Sequence, residues 1–156
     1  MNIKISHILL LLFTVASDFL TKHYISTNLK LYETIEIIPN FFDITYVLND
    51  GAAWSILKGQ IIFFYIISVI ALGVLVFMYV KTYYNDKLSK LGIVLMIGGT
   101  IGNFIDRLRF QYVIDFLSFQ FGSYHFPVFN LADSFLVIGV GCLIFSMLLK
   151  KEGHYV

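Results

Sequence analysis

The chain has 156 residues, 58% of them hydrophobic and 13% charged, with a formal net charge of +1. Soluble domains are about 45–50% apolar and about 25% charged, so this composition, with a mean hydropathy of +0.82, argues for an integral membrane protein. The near-neutral charge and the lack of a basic stripe leave no electrostatic footprint for nucleic acid, and no such partner is expected.

Four stretches are long enough to cross a bilayer, which takes about 20 apolar residues. The first covers residues 5–24. It follows Lys4, and Asp18 and Lys22 interrupt its end. No small-x-small cleavage pattern stands out, so it reads as a retained span and not a removed leader. Asp18 and Lys22 are four residues apart on one helical face, the spacing of an intrahelical ion pair that supports the structure.

The connection over residues 25–60 carries strand signals. Thr34-Ile35-Glu36-Ile37-Ile38 alternates, and Phe42-Asp43-Ile44-Thr45-Tyr46-Val47-Leu48 favours strand formers. Asn49-Asp50-Gly51 is a turn signal, followed by Ala52-Ala53-Trp54. A small sheet resting on the membrane surface is expected. Phe41, Phe42, Tyr46, Trp54, Phe110, Tyr112 and Tyr124 suit the interface, where aromatic rings are favoured; anchoring and contact with substrate both fit them.

The second span covers residues 61–80 and the third 88–108. The third closes on Gly98-Gly99-Thr100-Ile101-Gly102-Asn103-Phe104-Ile105-Asp106-Arg107. Positions 99, 102, 103, 106 and 107 share one helical face, small at one end and polar at the other. Glycines allow close helix approach, so a plain packing motif ending in an interfacial arginine also fits. The polar residues on that face favour a site.

Residues 109–127 form the second long connection. Asp115 lies in the strand-like run Val113-Ile114-Asp115-Phe116-Leu117. Asn130-Leu131-Ala132-Asp133 opens the fourth span, residues 128–149. Taken alone, Asp115 is explained by a half-solvated strand, and Asn130 and Asp133 by a helix cap and an acidic first turn. Taken together, the chain leaves the third span and returns to the same boundary, so both carboxylates can meet near Asn103 and Arg107. Carboxyl groups at the edge of hydrocarbon are costly and usually functional. Two that share a proton can hydrolyse a peptide bond: one activates water, the other protonates the carbonyl oxygen. No metal or cofactor is needed. HExxH and GxSxG are absent, the four histidines are scattered, and the lone Cys142 reads as an apolar filler.

Four spans put both termini on one side. Lys81, Lys87, Lys90, Lys150 and Lys151 lie in the short loop and tail of that side, so the positive-inside rule assigns it to the cytoplasm and turns the two long connections outward. Residues 1–156 read as one membrane-embedded domain. The rival reading is a small proton- or ion-coupled transporter using the same polar residues as a relay. Against it, no internal repeat is visible and the polar groups gather at one boundary.

Asp18…Lys22, Asn49-Asp50-Gly51-Ala52-Ala53-Trp54, Gly98-Gly99-x-x-Gly102-Asn103-x-x-Asp106-Arg107, Val113-Ile114-Asp115-Phe116 and Phe129-Asn130-x-Ala132-Asp133-Ser134 occur in order. Together they resemble the bacterial lipoprotein signal peptidases, also called signal peptidase II, over essentially the whole chain. The resemblance implies a mainly α integral membrane protein with four transmembrane helices and an extracytoplasmic β-cradle. It implies a multi-pass aspartic peptidase of the bacterial cytoplasmic membrane, with its site on the outer face. Such enzymes cut prolipoproteins on the amino side of a diacylglyceryl-modified cysteine. On that basis Asp115 and Asp133 match the catalytic pair. Asn49, Gly51, Asn103, Arg107 and Asn130 match the residues that shape the site and hold substrate, and Asp106 is given a structural role. Prolipoprotein and membrane lipid are the expected partners, and a monomer is expected to suffice. Phe19 stands where the family often has Gln, and Thr100 where Ala is common; neither touches the pair.

Overall fold

The computed structural model describes residues 4–51, 57–82 and 86–152. Four helices and four short strands run in the order α1 (Ile5–Asn28), β1 (Thr34–Ile38), β2 (Phe42–Asn49), α2 (Ile61–Lys81), α3 (Lys87–Phe110), β3 (Val113–Phe121), β4 (Tyr124–His125) and α4 (Leu131–Glu152). All four helices are long and apolar enough to span a membrane. Ala52-Ala53-Trp54 and part of the loop after Lys81 lie outside the described residues, as do the side chains of Lys150 and Lys151.

The third helix is the hub. Half of its apolar window is buried inside the protein, against 17–22% for the other three. Small residues make this possible. A Cβ added at Gly99 would strike the Ala132 carbonyl of α4, and one added at Gly102 would strike the Asp18 carboxyl of α1. The glycine face therefore brings the backbone of α4, and the Thr14 and Asp18 side chains of α1, directly against α3, as in other small-residue membrane interfaces. The remaining apolar surfaces of α1, α2 and α4 stay exposed: Leu9, Phe13, Ile62, Ile66, Val137 and Leu148 all face outward. In a bilayer that exposure carries no penalty, because lipid tails are as apolar as the side chains.

Helix ends are set locally. Asp86 caps α3 by accepting from the Ser89 amide at 3.0 Å. At the other end Gln111 takes the left-handed conformation, φ 67°, with its amide bonded to the Arg107 carbonyl. That reversal lets β3 begin two residues later, and the Asp106 carboxylate fastens it by accepting from the Ile114 amide at 3.2 Å.

The strands form one antiparallel sheet, ordered β1-β2-β3-β4, at the helix ends where α1 finishes and α4 begins. Alternation sorts its two faces. Ile114 and Phe116 pack with Ile25 of α1, while Val113 and Asp115 line a cavity among α2, α3 and α4. In the β2–β3 register Asn49 pairs with Val113 and Val47 with Asp115. The expected sheet is thus present, but three boundaries shift. α3 runs on past 108 to Phe110. α1 runs on to Asn28. Residues 128–130 are not helical: Phe129 bridges Leu117 in an extended segment, because its backbone is taken up by the edge of β3.

We expect Gly102→Val to push Asp18 off α3 and to cost about 1–3 kcal/mol, the usual range for overpacking. A thermal midpoint in detergent equal to that of the parent chain would contradict this packing account.

Candidate active site

A buried ammonium anchors the polar end of the helix bundle. Lys22 is 2% exposed and spends its donors on three acceptors: Asp18 Oδ2 at 2.8 Å, Asp106 Oδ2 at 3.0 Å and Asn103 Oδ1 at 3.0 Å. The intrahelical pair with Asp18 forms as its spacing suggests, yet it is buried at a three-helix junction. Asp18 Oδ1 also accepts from the Ala132 amide at 2.9 Å, tying α1 to the first turn of α4.

Asn103 passes this order to the two aspartates. Its Oδ1 is held by Lys22, so its Nδ2 donates to Asp133 Oδ1 at 2.7 Å. Asn130, fully buried, donates through Nδ2 to Asp115 Oδ1 at 2.7 Å and to Asn103 Oδ1 at 3.1 Å. Its own Oδ1 accepts from the Asp133 amide at 3.0 Å, while the Asn130 amide donates to Asp133 Oδ2 at 3.2 Å. That reciprocal pair is a capping box. The cap expected of Asn130 and Asp133 is therefore present, and the same pair of bonds starts α4 and orients the Asp133 carboxylate toward Asn103.

Asp115 is 2% exposed. It takes a second donor, Asn49 Nδ2, at 2.9 Å on Oδ2. Asn49 closes an Asx turn as well, its Oδ1 accepting from the Gly51 amide at 2.9 Å. Burial, and next the charge of Asp133, push the Asp115 carboxyl up to about 7; the Asn49 and Asn130 donors pull the other way.

Arg107 reaches over this group. Its guanidinium makes long contacts of 3.4 Å to the Gly51 carbonyl and 3.5 Å to the Asn103 carbonyl, and lies 4.7 Å from the centre of the Phe64 ring. Such contacts are near the limit of a hydrogen bond, so among the described residues most of its donor capacity is uncommitted. Arg107 meets Asn103 through the Asn103 backbone carbonyl and not through its side chain.

Asn49, Gly51, Asn103, Arg107, Asp115 and Asp133 all border one cavity of about 720 Å³. Its other walls are mainly apolar and come largely from α2, α4 and residues 126–129, among them Ile67, Ala71, Phe129, Leu136 and Val137. Asn130 lies just behind it, and Asp18, Lys22 and Asp106 form the support beneath. The cavity can thus receive an apolar chain and present a polar bond to two carboxyl groups.

The Signal peptidase (SPase) II family model matches residues 10–149. The chain belongs to the signal peptidase II family. A lipoprotein signal peptidase of Latilactobacillus sakei is 42% identical over 146 residues, covering 94% of this chain and 95% of that one. One from Bacillus pumilus is 46% identical over 138 residues, covering 88% and 89%. A solved bacterial membrane enzyme superposes with a TM-score of 0.89 at 41% identity, over 95% of this chain and 90% of that one.

Some residues at the site gave no signal in the sequence. Phe64 and Tyr65 sit in the featureless second span, yet Phe64 backs the Arg107 guanidinium and the Tyr65 hydroxyl donates to the Arg107 carbonyl at 2.9 Å. The Ala132 amide acts through its backbone, which no side-chain motif reveals.

Lys22→Met leaves Asp18 and Asp106 facing each other in a buried site. Breaking a buried ion pair this way costs about 3–5 kcal/mol, and a thermal midpoint near that of the parent chain would contradict the arrangement.

Proposed function

We propose that this chain is a membrane aspartic endopeptidase that removes signal peptides from prolipoproteins, cutting on the amino side of the diacylglyceryl-modified cysteine. Asp115 and Asp133 are its catalytic pair. The observation that carries this reading is their shared connection. Asn130 and Asn103 join the two carboxyl groups on the wall of a cavity whose remaining lining is mainly apolar. Family membership supports the substrate class.

Burial and the charge of Asp133 raise the Asp115 carboxyl to about 7, which favours Asp115 as the carrier of the pair's shared proton. Asp133 is then the carboxylate that takes a proton from water as the oxygen attacks the scissile carbonyl carbon. Asp115 donates to the carbonyl oxygen, giving a gem-diol. As the C–N bond breaks, a proton passes to the departing amine and the other carboxyl recovers its own. One water is consumed, and no covalent intermediate with the protein forms.

The remaining groups serve binding. The uncommitted donors of Arg107 suit peptide carbonyls beside the scissile bond. Asn49 and Gly51 form the rim on the sheet side. The apolar walls from α2 and α4 suit the signal helix and the acyl chains, already delivered to the membrane plane by their own burial. The lysine distribution supports cytoplasmic termini and a sheet on the outer face. The gathering of polar groups at the sheet end of the bundle supports a peptidase over a transporter, whose binding site sits near the midplane.

Asp115→Asn and Asp133→Asn should each lower cleavage of a purified lipid-modified precursor by at least about 10²-fold while the protein still folds. Full cleavage by either folded variant would contradict the dyad. The pH dependence follows from Asp115. Below about 7 the pair keeps its shared proton, and as pH rises through that value the proton is lost. The basic limb of kcat/KM should therefore lie near neutrality. A profile still rising above neutrality would contradict the role given to Asp115.

A further inference from the structure

A second cavity lies on the opposite face of the sheet from the two aspartates. Its volume is about 670 Å³, and its walls are Leu20 and Tyr24 of α1, Ile35 and Ile37 of β1, and Ile44 and Phe116 of β2 and β3. The sheet divides the two cavities: Asp115 faces one and its neighbour Phe116 faces the other.

Three observations bear on what fills it. The first is its polarity. Apart from the Tyr24 hydroxyl, its polar lining groups are turned back onto α1: the Thr21 hydroxyl donates to the Ser17 and Asp18 carbonyls, and the Asn28 amide hydrogens go to Tyr24 O and Thr27 Oγ1. The occupant is therefore apolar.

The second is that β1 is uncovered. All five of its residues are exposed, with Ile35 at 44% and Ile37 at 52%. On an edge strand in water such residues invite aggregation.

The third is continuity with the membrane surface. Leu9, Phe13, Leu20 and Tyr24 are spaced four, seven and four residues apart, so they form one stripe along α1, and each is about 60% exposed. Thr14, Asp18, Lys22 and Ile25 bury the opposite side of the helix. The stripe faces lipid along the span and ends in the groove. A chain lying against α1 in the bilayer runs directly beneath Ile35 and Ile37.

We infer that this groove is a seat for an acyl chain of a membrane phospholipid, clamped between the last turns of α1 and the underside of β1. It is separate from the cavity that holds the two aspartates. The seated chain fixes the edge of the sheet to the bilayer, and through β2 holds the strand that carries Asp115. This inference rests on the four spans and not on the peptidase reading, and its test does not measure cleavage.

The test places a single tryptophan in the full chain, with the only natural one removed by Trp54→Phe, in phosphatidylcholine nanodiscs whose acyl chains are brominated. Ile37→Trp puts the indole in the groove, and Glu36→Trp puts it on the other face of the same strand. Bromine should quench the first at least about twofold more than the second. Equal quenching, or an Ile37→Trp emission shielded by a second copy of the chain, would overturn the proposal. A phosphatidylcholine with a photoactivatable acyl chain tests the unaltered protein. Adducts on Leu20, Tyr24, Ile35 or Ile37 support the seat; labelling of α1 that stops short of Leu20 and spares β1 would overturn it.

Discussion

The Lys22 ammonium is buried among Asp18, Asp106 and Asn103, and the polar end of the protein is arranged around it. An ammonium can only donate. Whatever it touches on Asn103 must be the oxygen, so the Asn103 nitrogen must face Asp133. Asn130 then has no choice either, because the Asp133 amide needs its oxygen and Asp115 receives its nitrogen. One charge therefore sets the direction of an amide relay that would otherwise be free to flip. It also ties three helices and the start of β3 to a common point, through Asp18 on Ala132 and Asp106 on Ile114.

Such a cluster costs desolvation that an apolar substitute would avoid. In a membrane protein it still has an advantage. Apolar side chains do not discriminate strongly between protein and lipid, so packing alone fixes helix register weakly. A buried, fully paired network is satisfied in only one arrangement. The glycine face of α3 provides the close approach, and the ion cluster selects the depth at which the helices stop. The sheet adds the remaining carboxyl by a different route. Its register with β2 sets Asn49 beside Asp115, and alternation turns Phe116 away toward α1.

Much of this was legible in the sequence, for physical reasons. Long apolar runs announce spans, and the polar residues gathered at their ends announce a buried polar cluster. The Asn130–Asp133 spacing was read as a cap, and the capping box is present, but the same atoms also reach Asn103 and Asp115. What stayed hidden depended on three dimensions. Lys22 looked like half of a local ion pair, because its partners on α3 are 81 and 84 residues away in a chain of 156. The shift of α4's start to Leu131 was hidden because Val128 and Phe129 are apolar enough for a span, yet the Phe129 backbone is claimed by β3 and Asn130 is the cap. The lining supplied by α2 was hidden because a uniformly apolar helix shows no preferred face.

The central claim is that two carboxyl groups act on one tetrahedral centre. The most direct measurement is an experimental structure of this chain bound to a substrate peptide whose scissile bond is replaced by a hydroxyethylene isostere. The account predicts that the hydroxyl lies within hydrogen-bond distance of both Asp115 and Asp133, with the flanking peptide against Arg107. A hydroxyl bound away from either carboxyl, with the peptide seated in the cavity, would contradict it.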